Sequence, residues 1–239
     1  MALLTLNRAN QRNCLHPDLI AELSEQLKSL RERDDVKVIV ITANGLAFCA
    51  GLDLAHLRTL AADDRVTYMR SAFALFELLH EQPQPTIAAI NGPAVAGGFD
   101  LAVFCDLRLS VPTARFAQPE IILGVTQFFY PAWTLVGLAR AKELALTGLP
   151  VSAEEAWRIG LVNHLVSAEE LLPRTMTLAR TIASRPREAL LETKRLSREL
   201  PGQEKAAAFT MMGEALDRSL RSEAHRRALD AYLQAGLKG

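Results

Sequence analysis

The sequence predicts an α/β core that carries a helical C-terminal layer. Three observations lead there: short runs of β-branched residues recur along the first two thirds of the chain, helical patterns lie between them, and the strand signals stop near residue 167. The opening "MALLTLNRAN" runs straight into a strand, so an earlier strand is either missing or simply absent. Leu19, Leu23, Leu27 and Leu30 then fall at spacings of 4, 4 and 3, which places them on one face of a helix opened near Pro17. Strands are expected at "VKVIVIT" (36–42), "TIAAIN" (86–91), "LRLSV" (107–111) and "LVNHLV" (161–166). Ser152 with Glu155 and Ser167 with Glu170 match the S-x-x-E capping box and start two further helices. From 167 to the end the chain is rich in Ala, Leu, Glu and Arg, with breaks expected only near Pro173, Pro186 and the "LPGQ" turn at 200–203. Without repeats or a low-complexity linker, residues 1–239 read as one domain, an α/β core over 1–166 with a helical part over 167–239.

Composition narrows the function classes. A chain of 239 residues with 49% hydrophobic content fills a sizeable core. Its 27 basic residues balance its 27 acidic ones, so no net field draws it to nucleic acid or to an anionic membrane. The first apolar stretch is too short for a signal peptide and no run of about 18 apolar residues occurs, which argues against secretion and membrane insertion. Cys14, Cys49 and Cys105 are odd in number and sit among apolar residues, the usage of a reduced, cytoplasmic chain. The five histidines have no metal-ligand spacing, so no metal is expected. Nucleotide-binding G-x-G-x-x-G, P-loop and G-x-S-x-G hydrolase motifs are all missing.

Two glycine-bearing stretches carry the chemistry. In "NGLAFCAGLDL" (44–54) a glycine at 51 lets the backbone turn sharply and leaves the Leu52 N–H as a free donor. "NGPAVAGGFDLAVF" repeats the layout after the strand at 86–91, with Gly97 and Gly98 opening a short apolar helix. That helix contains Asp100, a charge among Phe99, Leu101, Ala102, Val103 and Phe104 that is expensive to bury without a partner. A pair with Arg108 or a capping role would satisfy it, and Glu120, after Pro119, would serve equally as a helix N-terminal carboxylate.

Taken together, the chain resembles the enoyl-CoA hydratase and isomerase (crotonase) superfamily over nearly its whole length. The likeness rests on "LNRANQRNCL", "FCAGLDL", "GPAVAGGFDLAVFCDLRL", "ARFAQPEIILGV", "LALTG…SAEEAWRIGLVNHLV" and "SEAHRRALDAYL", in the family's order. The resemblance implies a spiral of β-β-α turns, and assembly as a homo-trimer or a dimer of trimers through the C-terminal helices. It also implies an acyl-CoA thioester substrate and no cofactor, since CoA is part of that substrate. By position, the two oxyanion donors fall on the N–H groups of Leu52 and Gly97, and Leu52, Asp53, Leu54 and Ala55 line the CoA channel. Asp100 and Glu120 match the family's two glutamates and become the candidate catalytic pair. Two carboxyls beside an apolar acyl pocket raise each other's pKa, so that one of them can act as an acid.

Two departures from the family pattern stand out. Aspartate at 100 is one methylene shorter than glutamate, which draws the carboxyl back by more than ~1 Å. After Gly124 a glycine-rich run gives way to "VTQFFYPAWTLVG", whose Phe128, Phe129, Tyr130 and Trp133 are expected either to narrow the acyl end of the pocket or to be plain core. The expected activity is reversible hydration of a trans-2-enoyl thioester. Enoyl-CoA isomerisation through Glu120 alone, decarboxylation, thioester hydrolysis, carrier-protein thioesters and non-catalytic acyl-CoA binding are the alternatives. Arg8, Arg12 and Arg58 are the candidate holders of the CoA phosphates by charge.

Overall fold

The computed structural model describes residues 1–127 and 129–236. In chain order the elements are β1 (Ala2–Leu6), α1 (Pro17–Arg31), β2 (Ile39–Ala43), α2 (Leu54–Thr59), α3 (Ala62–His80), β3 (Thr86–Ile90), β4 (Ala94–Val95), α4 (Gly97–Val103), β5 (Leu107–Ser110) and β6 (Arg115–Ala117). They continue with α5 (Ala132–Thr147), β7 (Val151–Ser152), α6 (Ala153–Arg158), β8 (His164–Leu165), α7 (Ala168–Ala183), α8 (Arg187–Glu199), α9 (Lys205–Arg221) and α10 (Glu223–Gly236). A 3₁₀ turn at Pro119–Leu123 lies between β6 and α5.

Five strands form a parallel sheet in the order β1-β2-β3-β5-β8, with Leu4 opposite Ile41 and Ile87 opposite Leu107. A second sheet orders β4-β6-β7, parallel in its first pair and antiparallel in its second. The chain passes from the large sheet to the small one twice, β3 to β4 and β5 to β6, so successive turns stack as a spiral. Every residue of β2 and β3 is buried, as expected for parallel strands covered on both faces. The predicted leucine stripe faces this core, with Leu19, Leu23, Leu27 and Leu30 all buried on α1.

Local signals held where a side chain writes them. Ser152 and Ser167 cap α6 and α7, accepting from the N–H groups of Glu155 at 3.2 Å and Glu170 at 3.3 Å. Two strands are shorter than the apolar runs that predicted them: β2 begins at Ile39 rather than 36, and β8 keeps only His164 and Leu165 of 161–166. Burial explains the excess, since Val36, Val38, Leu161 and Val162 are core residues outside the ladders.

The expected break at Pro173 does not occur, and α7 runs through it. Proline there removes one intrahelical bond on an exposed side of the helix. The Ser167 cap and the buried Leu171, Thr175 and Ala179 outweigh that loss. Further on, Lys194 of α8 ties the helical layer to the core, its buried Nζ donating to Asp106 Oδ2 at 2.7 Å and to the Gln84 carbonyl at 3.0 Å.

Candidate active site

The two glycine stretches meet as one body. Val95 N–H donates to the Cys49 carbonyl at 3.0 Å and Cys49 N–H to the Pro93 carbonyl at 3.2 Å, so the 47–51 loop is laced to β4. Gly51 has φ +85°, and a Cβ on it would fall 2.6 Å from Ala96 Cβ and 3.1 Å from Gly97 N. At Gly98 a Cβ would fall 2.0 Å from the Cys49 carbonyl oxygen. Only residues without side chains allow these segments to approach so closely.

The approach leaves two amides in a shared position. Leu15 N–H donates to the Gly51 carbonyl at 2.8 Å. In a trans peptide the C=O and N–H point opposite ways, so the Leu52 N–H faces away from Leu15. At the other segment Asp100 N–H donates to the Ala96 carbonyl at 3.1 Å, and the Gly97 N–H points back out of the first turn of α4. Neither amide has a protein acceptor among the described residues. Ala96 between β4 and α4 adopts φ +55°, a strained value for alanine that costs about 1–3 kcal/mol. Its own N–H, bound to the Ala117 carbonyl at 2.9 Å, helps to hold it there.

A cavity of about 240 Å³ opens onto Leu52 and Gly97, and both Asp100 and Glu120 line it. Asp100 is 4% exposed. Burial, together with the negative charge of Glu120, pushes its carboxyl well above the ordinary carboxylate range, while a hydrogen bond with Gln118 acts in the opposite direction. Arg108 is not its partner, because that guanidinium bonds to the carbonyls of Cys105 at 2.5 Å and Leu161 at 2.6 Å. Glu120 stands in the 3₁₀ turn after Pro119. Burial raises its carboxyl too, and its buried Oε2 has no hydrogen-bond partner among the described residues.

The raised Asp100 carboxyl has a measurable consequence. The unfolded chain releases this proton near pH 3.8 and the folded chain holds it to higher pH, so between those values rising pH favours unfolding. Asp100→Asn is therefore expected to raise Tm at pH 8, with the gain shrinking as pH falls toward 4 in thermal unfolding scans.

The remaining expected site residues divide. Leu52 and Leu54 line the cavity, whereas Asp53 and Ala55 are not part of its described lining. Asp53 instead caps α2, accepting from His56 N–H at 3.1 Å, and is approached by Cys14 Sγ at 3.3 Å and Arg8 Nη1 at 3.5 Å. The His56 amide is the largest cause of its lowered pKa. Arg8 is thus engaged locally, also donating to the Cys14 carbonyl at 3.0 Å, while Arg12 and Arg58 are exposed. Arg58 lies with Leu54 and Leu57 on a groove that continues from the cavity.

At Tyr130 and Trp133 the aromatic segment fits neither expectation, since both are exposed and lie outside the described cavity lining. Phe128 lies outside the described residues, and Phe129, Tyr130 and Trp133 are not in the described cavity lining. Tyr130 turns away, its hydroxyl 3.0 Å from His80 Nε2 and its ring edge-on to those of His80 and Phe104. The apolar wall of the cavity comes instead from α3, through Met69, Ala72, Phe73 and Phe76. Their i, i+3, i+4, i+7 spacing is a stripe that the sequence displays but that was not assigned to the site.

Comparison with known proteins identifies the family. The family model for enoyl-CoA hydratase/isomerase matches residues 1–236. A crotonyl-CoA hydratase of Syntrophomonas wolfei is 36% identical over 228 residues, covering 94% of this chain and 84% of that protein. A putative enoyl-CoA hydratase of Thermus thermophilus is 37% identical over 207 residues, covering 84% and 82%. The crystal structure of an enoyl-CoA hydratase from Bacillus anthracis superposes with a TM-score of 0.95 at 29% identity, covering 98% of this chain and 92% of that one. The two-sheet spiral with its helical C-terminal layer is the crotonase fold of these structures. The chain belongs to the enoyl-CoA hydratase/isomerase family.

Proposed function

We propose that the protein is an enoyl-CoA hydratase that adds water reversibly to a trans-2-enoyl thioester. One observation carries this reading: two unpaired main-chain amides and two acids with raised pKa border a single apolar cavity. The thioester oxygen binds between the N–H groups of Leu52 and Gly97. Those fixed dipoles stabilise the negative charge that develops as the β-carbon is attacked, without reorganising. Asp100, whose carboxyl is biased toward its protonated form by burial and by the charge of Glu120, orients the water. Glu120 takes a proton as the water oxygen bonds to the β-carbon and returns a proton to the α-carbon, which leaves its own charge unchanged.

The relatives' names support the same reaction, since one is a crotonyl-CoA hydratase and another a short-chain-enoyl-CoA hydratase of Clostridium acetobutylicum. The direct test is crotonyl-CoA hydration by purified protein, followed as loss of the conjugated thioester absorbance. Absence of turnover with short, medium and aromatic enoyl chains would defeat the proposal. Isomerisation is the second reading, favoured by the buried free oxygen of Glu120 and the shorter acid at 100. Asp100→Ala separates the two: hydration collapses if Asp100 holds the water, whereas a proton shuttle through Glu120 survives.

Three further features belong to the same proposal. CoA is part of the substrate and no cofactor is needed. The enzyme works in the cytoplasm, in keeping with three free, buried cysteines. It assembles as a homo-trimer or a dimer of trimers, supported by Phe209, Leu216 and Tyr232, which α9 and α10 leave 63%, 58% and 78% exposed. Sedimentation analysis measures the copy number.

A further inference from the structure

We propose that Tyr68 is a positioning residue for the thioester-polarising amide of Leu52, an inference that rests on the oxyanion role given above to that amide. Tyr68 sits on α3, is 5% exposed, and is not part of the described cavity lining. Its hydroxyl stands between two main-chain groups, accepting from Asp53 N–H at 3.0 Å and donating to the Leu15 carbonyl in a very short contact.

The placement matters because of what flanks Leu52. The peptide before it is held by Leu15 N–H on the Gly51 carbonyl, and the peptide after it by Tyr68 on the Asp53 N–H. Leu15 and Leu52 form an isolated parallel bridge, with the Tyr68 hydroxyl joined to both chains of it. With both neighbouring peptide planes fixed, the Leu52 N–H has little freedom to rotate out of the cavity. The Leu15 side chain also reaches the second donor, since a Cβ on Gly97 would lie 3.1 Å from Leu15 Cδ1. A single tyrosine thus braces the bridge behind the Leu52 amide, and the Leu15 side chain of that bridge packs beside Gly97.

Chemistry suits the role. Burial, the largest cause, pushes the phenol up to about 12, so the hydroxyl keeps its proton and its donor function throughout the neutral range. Phenylalanine fills the same volume but can neither accept from Asp53 nor donate to Leu15. Tyr68 also shares α3 with Met69, Ala72, Phe73 and Phe76, so the helix that walls the acyl chain is the helix that braces the donor.

The test is Tyr68→Phe, read in two ways. For crotonyl-CoA hydration, kcat is expected to fall about tenfold with KM within about twofold, the pattern of a group felt mainly in the transition state. For bound 3-phenylpropenoyl-CoA, the red shift of the conjugated chromophore reports carbonyl polarisation directly and is expected to shrink. If Tyr68→Phe does not fold, replacing the Leu52–Asp53 amide by an ester removes the same N–H and is expected to diminish the same shift. An unchanged shift in a folded variant, or a rise in KM alone, overturns the proposal. A wild-type protein that shifts the chromophore but hydrates no short, medium or aromatic enoyl-CoA would refute the hydratase reading and leave the positioning role standing.

Discussion

Glu120→Gln is expected to lower kcat for enoyl-thioester hydration by about 10²–10⁴-fold while leaving acyl-CoA affinity nearly unchanged, as measured by steady-state kinetics beside equilibrium binding of a saturated acyl-CoA. The amide matches the acid in size and still fills its place in the 3₁₀ turn, but it cannot exchange a proton with water or carbon. The loss therefore falls on the chemical step. Asp100 is not expected to substitute, because it is deeply buried and already hydrogen-bonded to Gln118. A variant that kept wild-type kcat would remove Glu120 from the mechanism.

Gly98→Ala is expected to damage both stability and rate. The added methyl would fall 2.0 Å from the Cys49 carbonyl oxygen and 2.6 Å from its carbon, and neither backbone atom can rotate aside. Either α4 or the 47–51 loop must move. The overpacking is expected to cost about 3 kcal/mol, or roughly 6–12 °C in Tm for a chain of this size. The same movement separates the Leu52 and Gly97 amides, and a displacement of ~1 Å costs about a hundredfold in kcat. Equal melting of Gly98→Ala and wild type would show that the segments are not held together as described.

What the sequence made legible was whatever is written in local spacing. The leucine stripe of α1, the serine caps of α6 and α7, and the burial of β2 and β3 all follow from residues a few positions apart. The two glycine stretches were legible for the same reason, since each places its glycines directly after a strand or extended run. Long-range pairings were not. Nothing near Tyr68 announces Leu15 and Asp53, which lie 53 and 15 residues away. The antiparallel pairing of β6 with β7, and the positive φ of Ala96 where glycine would be the expected occupant, are likewise set by tertiary contacts. Tyr130 misled for a related reason: an aromatic near the pocket in sequence found a better partner in His80, 50 residues away.

The lacing of Cys49 to Val95 has an evolutionary consequence. Because the two groups proposed to polarise the electrophile belong to the main chain, substitutions that resize the lipophilic chamber leave those dipoles in place. Met69, Phe73, Leu123 and Thr126 are thus free to diversify. New acyl preferences can arise by drift at these positions while the ancestral chemistry stays insulated from them.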